Sequence, residues 1–190
     1  MGFLFIFNNT YKAVFSLDIM CGIVGYKGEK NAVEVVFEGL KDLEYRGYDS
    51  WGIASLNEGI NIAKNVGKIG NVSLVDLELQ NSNLAIGHTR WATTGRVNQT
   101  NAHPHFSENE NLALVQNGIV ENFQELRGEL KAKGHTFQTE TDTEVIVKLI
   151  EEMSKESLDL KDAVLLAFKR LKGRNAIVLI EKDSQRILAA

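Results

Sequence analysis

The sequence predicts an α+β domain, and three observations carry that prediction. Short apolar runs end at glycines or polar clusters, as strands do. Two of them, 52–57 and 60–66, face each other across Glu58-Gly59, a hairpin signal. Between the strands lie longer segments with apolar residues on one helical face and capping residues at their starts. With 190 residues, 44% apolar and 24% charged, the chain is long enough to bury one core.

Residues 1–19 stand apart. Gly2 to Phe7 is apolar but short, and Asn8-Asn9-Thr10 interrupts it. There is neither a positive segment before it nor a small-x-small cleavage pattern after it, which argues against a signal peptide. Ile6 breaks the myristoylation pattern. The extension reads as a cleaved propeptide, an extra strand, or the product of an upstream start; the third fits best, with Met20 as initiator and residues 20–190 as the domain.

Residues 21–27 read as a buried strand, with Ile23, Val24 and Tyr26 between glycines. Asn31 and Glu34 form a capping-box pattern, and Val33, Val36, Phe37, Leu40 and Leu43 share one face of the helix that follows, with Gly47 as its stop. A short helical piece is expected around 73–79. Leu84-Ala85-Ile86-Gly87 is a strand, and the polar run 96–111 with the only proline is a long loop of the kind that is functional or disordered. Leu112 to Val115 is a strand ending in Gln116-Asn117-Gly118. Phe123, Leu126 and Leu130 mark a helix that stops near Gly134. Thr141 to Glu144 is a second capping box, opening a helix through Met153. A helix over 160–171 and strands over 177–180 and 186–190 complete the chain. It stops on Leu188-Ala189-Ala190 with no polar ending, and an open edge there suggests a domain truncated at the C-terminus.

Several function classes are disfavoured. The net charge is −4, without a basic stripe for nucleic acid. No apolar run approaches the roughly 20 residues of a membrane helix. One cysteine forms no internal disulfide. The four histidines lack a ligand spacing, so no metal is expected, and neither a phosphate loop nor a Gly-x-Ser-x-Gly elbow is present.

The only cysteine, Cys21, follows Met20 directly. A cysteine exposed by methionine removal supplies a thiol nucleophile and an α-amine base in one residue; on Cys-Gly alone, a small buried hydrophobe fits as well. Asn117-Gly118 suits a tight turn, or an oxyanion hole made by the amide and the Gly118 N–H. Arg90 lies past the end of a strand, as a surface arginine or as a fork for a carboxylate. Asp142 is welcome in a helix first turn for structural reasons, or it holds a substrate ammonium. Arg46-Gly47-Tyr48-Asp49-Ser50 reads as a capped turn with a local salt bridge, though it is dense in polar groups.

Taken together, Cys21-Gly22-Ile23-Val24-Gly25, Tyr45-Arg46-Gly47-Tyr48-Asp49-Ser50, His88-Thr89-Arg90-Trp91-Ala92-Thr93, Asn101-Ala102-His103-Pro104-His105, Asn117-Gly118-Ile119-Val120-Glu121-Asn122 and Glu140-Thr141-Asp142-Thr143-Glu144 resemble the glutaminase domains of glutamine–fructose-6-phosphate aminotransferases, which are class II amidotransferases. The resemblance covers about residues 20–190. It implies an N-terminal-nucleophile fold, a four-layer αββα sandwich of two antiparallel sheets. It implies Cys21 as nucleophile with its α-amine as base, Asn117 and Gly118 as the oxyanion hole, Arg90 and Asp142 on the α-carboxylate and α-ammonium of L-glutamine, and Trp91 and Thr93 in a closing loop. It implies no cofactor, a cytoplasmic setting, and a sugar-isomerase domain as partner for the ammonia; homo-oligomerisation is left open. Thr94 and Gln116 depart from the family, where histidine is usual. The alternatives are a glutaminase domain serving another acceptor and an inactive glutamine-binding fragment.

Overall fold

A computed structural model describes residues 2–5, 11–16, 21–156 and 159–190. Strands β1 (Gly2–Phe5), β2 (Tyr11–Ser16), β3 (Gly22–Lys27), β4 (Ser50–Leu56), β5 (Ile60–Val66) and β6 (Leu84–Arg90) form one antiparallel sheet in the order β1-β2-β3-β6-β4-β5. Strands β7 (His105–Phe106), β8 (Leu112–Gly118), β9 (Asn175–Glu181) and β10 (Arg186–Ala189) form a second in the order β10-β9-β8-β7. Helix α1 (Ala32–Asp42) covers the outside of the first sheet; α2 (Phe123–Ala132), α3 (Asp142–Ser154) and α4 (Leu160–Phe168) lie outside the second. This is the four-layer αββα sandwich that the motifs imply.

The layering follows from the period of two along each strand. Val24, Tyr26, Trp51, Ile53 and Ala85 pack toward α1, while Ile23, Ala54, Leu84 and Ile86 face the other sheet. On the second sheet, Leu112, Leu114, Ile177 and Leu179 pack under the helices, and Ala113, Val115, Val178 and Ile180 face inward. Seven branched residues fill that inter-sheet layer, worth about 10–20 kcal/mol of apolar burial. That is comparable with the whole margin of a folded domain, so the two sheets cannot part without unfolding.

Some boundaries shift. Asn31 caps α1 by accepting from Val33 N–H at 3.2 Å, but Glu34 makes no reciprocal bond, and α1 stops at Leu43, before a 3₁₀ turn over Glu44–Arg46. At Thr141 the hydroxyl accepts from Glu144 N–H at 3.3 Å; the Glu144 carboxylate instead accepts from Gln138 and Thr139. The 73–79 piece is a 3₁₀ turn, Leu74–Leu77. The 96–111 loop contains the two-residue β7, and α4 ends at Phe168. The backbone of 2–5 and 11–16 forms a hairpin on the outer side of β3, the extra-strand arrangement. Met20, the expected initiator, is outside the described residues. Among the described residues, no helix is long and apolar enough to cross a membrane.

Candidate active site

Cys21 sits just before β3, at one end of the sandwich. Its N–H donates to the Arg46 carbonyl at 2.9 Å, which fastens it to the turn after α1. Its thiol receives the Trp91 N–H at 3.1 Å and lies 3.5 Å from the Trp91 carbonyl. Burial pushes the thiol pKa up to about 11; the Trp91 N–H and Arg90 oppose the rise, and Asp49 adds to it. The thiol is therefore protonated at neutral pH and needs a base. Cys21 also holds φ +81°, a region side chains avoid.

Asn117 and Gly118 are the last residues of β8. They pair with Ala176 and Asn175, so they belong to the strand and not to the tight turn that Asn-Gly also suits. A Cβ on Gly118 would lie 2.1 Å from the Arg174 carbonyl, and its φ is +132°; only glycine fits. The Asn117 Nδ2 donates to the Cys21 carbonyl at 3.2 Å, and its Oδ1 accepts from His88 Nε2 at 2.9 Å.

Arg90 is the final residue of β6, not a residue past its end. Its Nη2 donates to the Thr94 carbonyl and its Nη1 to the Arg96 carbonyl at 3.4 Å, so the fork pins its own loop. Burial pulls its pKa down; Asp49, Cys21 and Asp142 act the other way. Asp142 opens α3, and its Oδ2 accepts the Val120 N–H at 2.8 Å. Burial raises its pKa, against the Val120 N–H and the first amides of the helix. Among the described residues the Tyr45–Ser50 segment lacks the expected local ion pair, because Arg46 and Asp49 bond elsewhere. Asp49 crosses to accept the Ala92 N–H and also takes the Ser50 hydroxyl at 2.9 Å, while Arg46 Nε donates to the Tyr45 hydroxyl. Tyr48 meets Trp91 edge-on at 5.1 Å.

These elements enclose a pocket of about 300 Å³ whose wall includes Cys21, Arg90, Trp91, Thr93, Gly118 and Asp142. Asn117 is not part of that wall; its Nδ2 rests on the Cys21 carbonyl and its Oδ1 on His88. Thr94 and Gln116 also line the pocket; Gln116 Oε1 accepts the Thr143 hydroxyl at 2.5 Å, and its Nε2 donates to Asn175 at 2.8 Å. A larger cavity of about 460 Å³ lies beside Lys64, Glu144 and Lys148, away from the thiol.

Sequence reasoning missed a layer of three histidines, two of which, His88 and His103, line the pocket. His88 stacks on His103 at 4.3 Å, and His103 meets His105 at 4.8 Å. Lys64 Nζ holds the segment that carries His103 and His105 through the carbonyls of Thr100, Ala102 and Pro104, at 3.1, 2.9 and 3.4 Å. The available signal was strand alternation: Leu84 and Ile86 face inward, so His88 does too. All three histidines are buried, and burial pulls their pKa values down, His88 to about 3. The native state thus refuses protons that the unfolded chain accepts below pH ~6.5. Stability should be complete above that pH and fall as pH drops, by up to about 1.4 kcal/mol per pH unit for each histidine. Thermal melting between pH 7 and 5 checks this; a flat melting temperature would contradict it. Glu108 and Glu152, held down to about 2 by Lys148 and Lys155, lose their contributions only at lower pH.

The sandwich and its cysteine pocket define a class II, N-terminal-nucleophile amidotransferase fold. A family profile described as "Glutamine amidotransferase domain" matches residues 75–190, and the chain belongs to that family. It is 51% identical over 175 residues to the glutamine–fructose-6-phosphate aminotransferase (isomerizing) of Pyrococcus horikoshii, and 50% identical over 171 residues to that of Chlamydia trachomatis. The matches cover 90% and 89% of this chain but only 29% and 28% of those proteins. Among solved structures, the glutamine phosphoribosylpyrophosphate amidotransferase of B. subtilis, complexed with ADP and GMP, superposes with a TM-score of 0.73. It is 31% identical, over 84% of this chain and 35% of that one. An allosteric regulatory enzyme of purine biosynthesis gives 0.74 at 32% identity, over 83% of this chain and 35% of that one.

Proposed function

We propose that residues 20–190 form the glutaminase portion of a glutamine–fructose-6-phosphate aminotransferase and convert L-glutamine and water to glutamate and ammonia. One observation carries this reading: Cys21, Arg90 and Asp142 converge on a single pocket. Arg90 turns its fork from the Thr94 and Arg96 carbonyls to the α-carboxylate. Asp142 takes the α-ammonium with the oxygen that Val120 leaves free. Trp91 and Thr93 close over the substrate.

The thiol does not ionise unaided at neutral pH. A free Cys21 amine, with a pKa near ~8, takes its proton as Sγ attacks the carboxamide carbon. The Asn117 Nδ2 and the Gly118 N–H receive the oxyanion. Collapse of the tetrahedral adduct breaks the C–N bond, the amine returns the proton to the leaving nitrogen, and ammonia departs. Water, deprotonated by the same amine, then splits the thioester to glutamate and restores the thiol. The φ of +81° at Cys21 supports a free amine there. A non-glycine residue in such a region costs on the order of 1–3 kcal/mol, and a residue with nothing before it has no such torsion.

The identities near 50% favour fructose 6-phosphate as acceptor of the ammonia, through an isomerase domain. The likeness to phosphoribosylpyrophosphate amidotransferase, at 31%, is the basis for a second reading with another acceptor. A lone reduced thiol suits the cytoplasm. The test is ammonia release from chains started at Met1 and at Met20, with N-termini read by mass spectrometry. Only the chain that exposes Cys21 should turn over; equal activity with residues 1–19 attached would refute the free-amine mechanism.

A further inference from the structure

We propose that His88 is a positioning residue for the oxyanion amide: its Nε2–H holds Asn117 in the one orientation that turns Nδ2 toward the nucleophile. The inference rests on the glutaminase reading above. An asparagine amide has two faces, and only one of them donates. The Cys21 carbonyl can only accept, so the Asn117 atom at 3.2 Å from it must be Nδ2. Oδ1 then faces His88 at 2.9 Å and can only accept, so the proton sits on His88 Nε2. The other tautomer, with its proton on Nδ1, would set a lone pair against Oδ1 and favour the flipped amide.

Burial and one ring contact hold the imidazole in this state. It is fully buried, and its low pKa keeps it neutral over the working range. Its ring lies against His103 at 4.3 Å with 30° between planes. His103 is itself tied by Nε2 to the Thr143 hydroxyl at 3.0 Å, and that hydroxyl donates onward to Gln116. Position 116, where the family usually carries histidine, thus ends a chain of bonds running Gln116–Thr143–His103, with His103 stacked on His88, and His88 bonded to Asn117. His88 lines the pocket but makes no hydrogen bond to the thiol; its bond is to Asn117, through which it acts. A wrongly turned amide presents Oδ1 to the oxyanion, which repels it. One lost oxyanion donor costs about 10²–10³ in kcat in comparable sites.

Nitrogen-15 spectra of the full chain give the first test, independent of turnover. His88 should appear as the Nε2–H tautomer from pH 5 to 9; an Nδ1–H tautomer overturns the proposal. Kinetics on the form exposing Cys21 give the second. His88→Phe keeps an aromatic ring on His103 but no donor, and kcat should fall about 10–100-fold with KM for glutamine changed less than about twofold. His88→Gln, which restores an N–H, should recover most of the loss. His88→Met and His88→Gln form a substitute pair, read the same way, should phenylalanine not fold. In the Asn117→Ala background, removing the His88 donor should cost nothing more; an equal further loss means that His88 acts elsewhere and ends the proposal. If Asn117→Ala itself retains full activity, the oxyanion assignment of the glutaminase reading fails. If Asn117→Ala is impaired while the donorless His88 variants are not, only this inference fails.

Discussion

Replacing Cys21 with alanine should abolish ammonia release from glutamine while leaving glutamine bound. Sγ is the only thiol in the chain and the only nucleophile in the pocket with a route to a thioester. Loss of an attacking atom in comparable hydrolases costs roughly 10⁴–10⁶ in turnover. Affinity should survive, because the two charged ends of the amino acid are gripped elsewhere, by Arg90 and Asp142. The alanine also removes only one small side chain from a partly open position. Calorimetric titration with glutamine, beside an ammonia assay, separates the two effects. A variant that neither turns over nor binds would mean that the thiol carries the affinity as well.

Arg90→Ala should do the reverse in the first instance, with binding lost before chemistry. The fork is buried and, among the described residues, forms no salt bridge; its donors rest on the Thr94 and Arg96 carbonyls. A substrate α-carboxylate left without it would be desolvated and unpaired, a cost of roughly 2–5 kcal/mol, or about 30-fold to several thousand-fold in Kd. Part of that loss belongs to the loop that Arg90 pins, and Arg90→Lys measures this part: it keeps the charge but not the two-toothed geometry. Lysine should recover a minor fraction. Normal glutamine affinity in Arg90→Ala would remove this residue from the binding site.

The proposed nucleophile was readable because Cys21 is unique in the chain and follows a methionine. The layer order was not readable from periodicity, because strands enclosed on both faces run nearly continuously apolar. Val24 and Ile23 look alike in sequence but face a helix and a sheet respectively. That order came from the combined motifs. Asn117-Gly118 carried a strong turn signal that lost to the β8–β9 ladder, since local turn chemistry is weaker than a row of cross-strand bonds flanked by buried side chains. Arg90 looked like a loop residue because β6 continues through the polar His88 and Thr89, whose partners come from Asn117 and from Gly22 N–H at 3.1 Å. Long-range partners of this kind leave no local pattern. The pairing of Lys64 with three carbonyls of a distant loop is hidden for the same reason.

The enclosure of the strands on both faces has a consequence for how the enzyme opens. Cys21, His88 and Asn117 are attached to β3, β6 and β8, whose central amides lie under side chains above and below. Such amides meet solvent only when the whole domain comes apart. Residues 91–94 leave the sheet, and Trp91 and Thr93 face outward. They are retained by little more than the Asp49–Ala92, Arg90–Thr94 and Trp91–Cys21 hydrogen bonds. Two scales of opening thus meet at the cysteine. On the proposed function, breaking a few loop bonds would admit glutamine and release glutamate, whereas disordering Cys21, His88 and Asn117 requires global unfolding. Substitutions that weaken the core can therefore shorten the life of the enzyme without changing the rhythm of its gate.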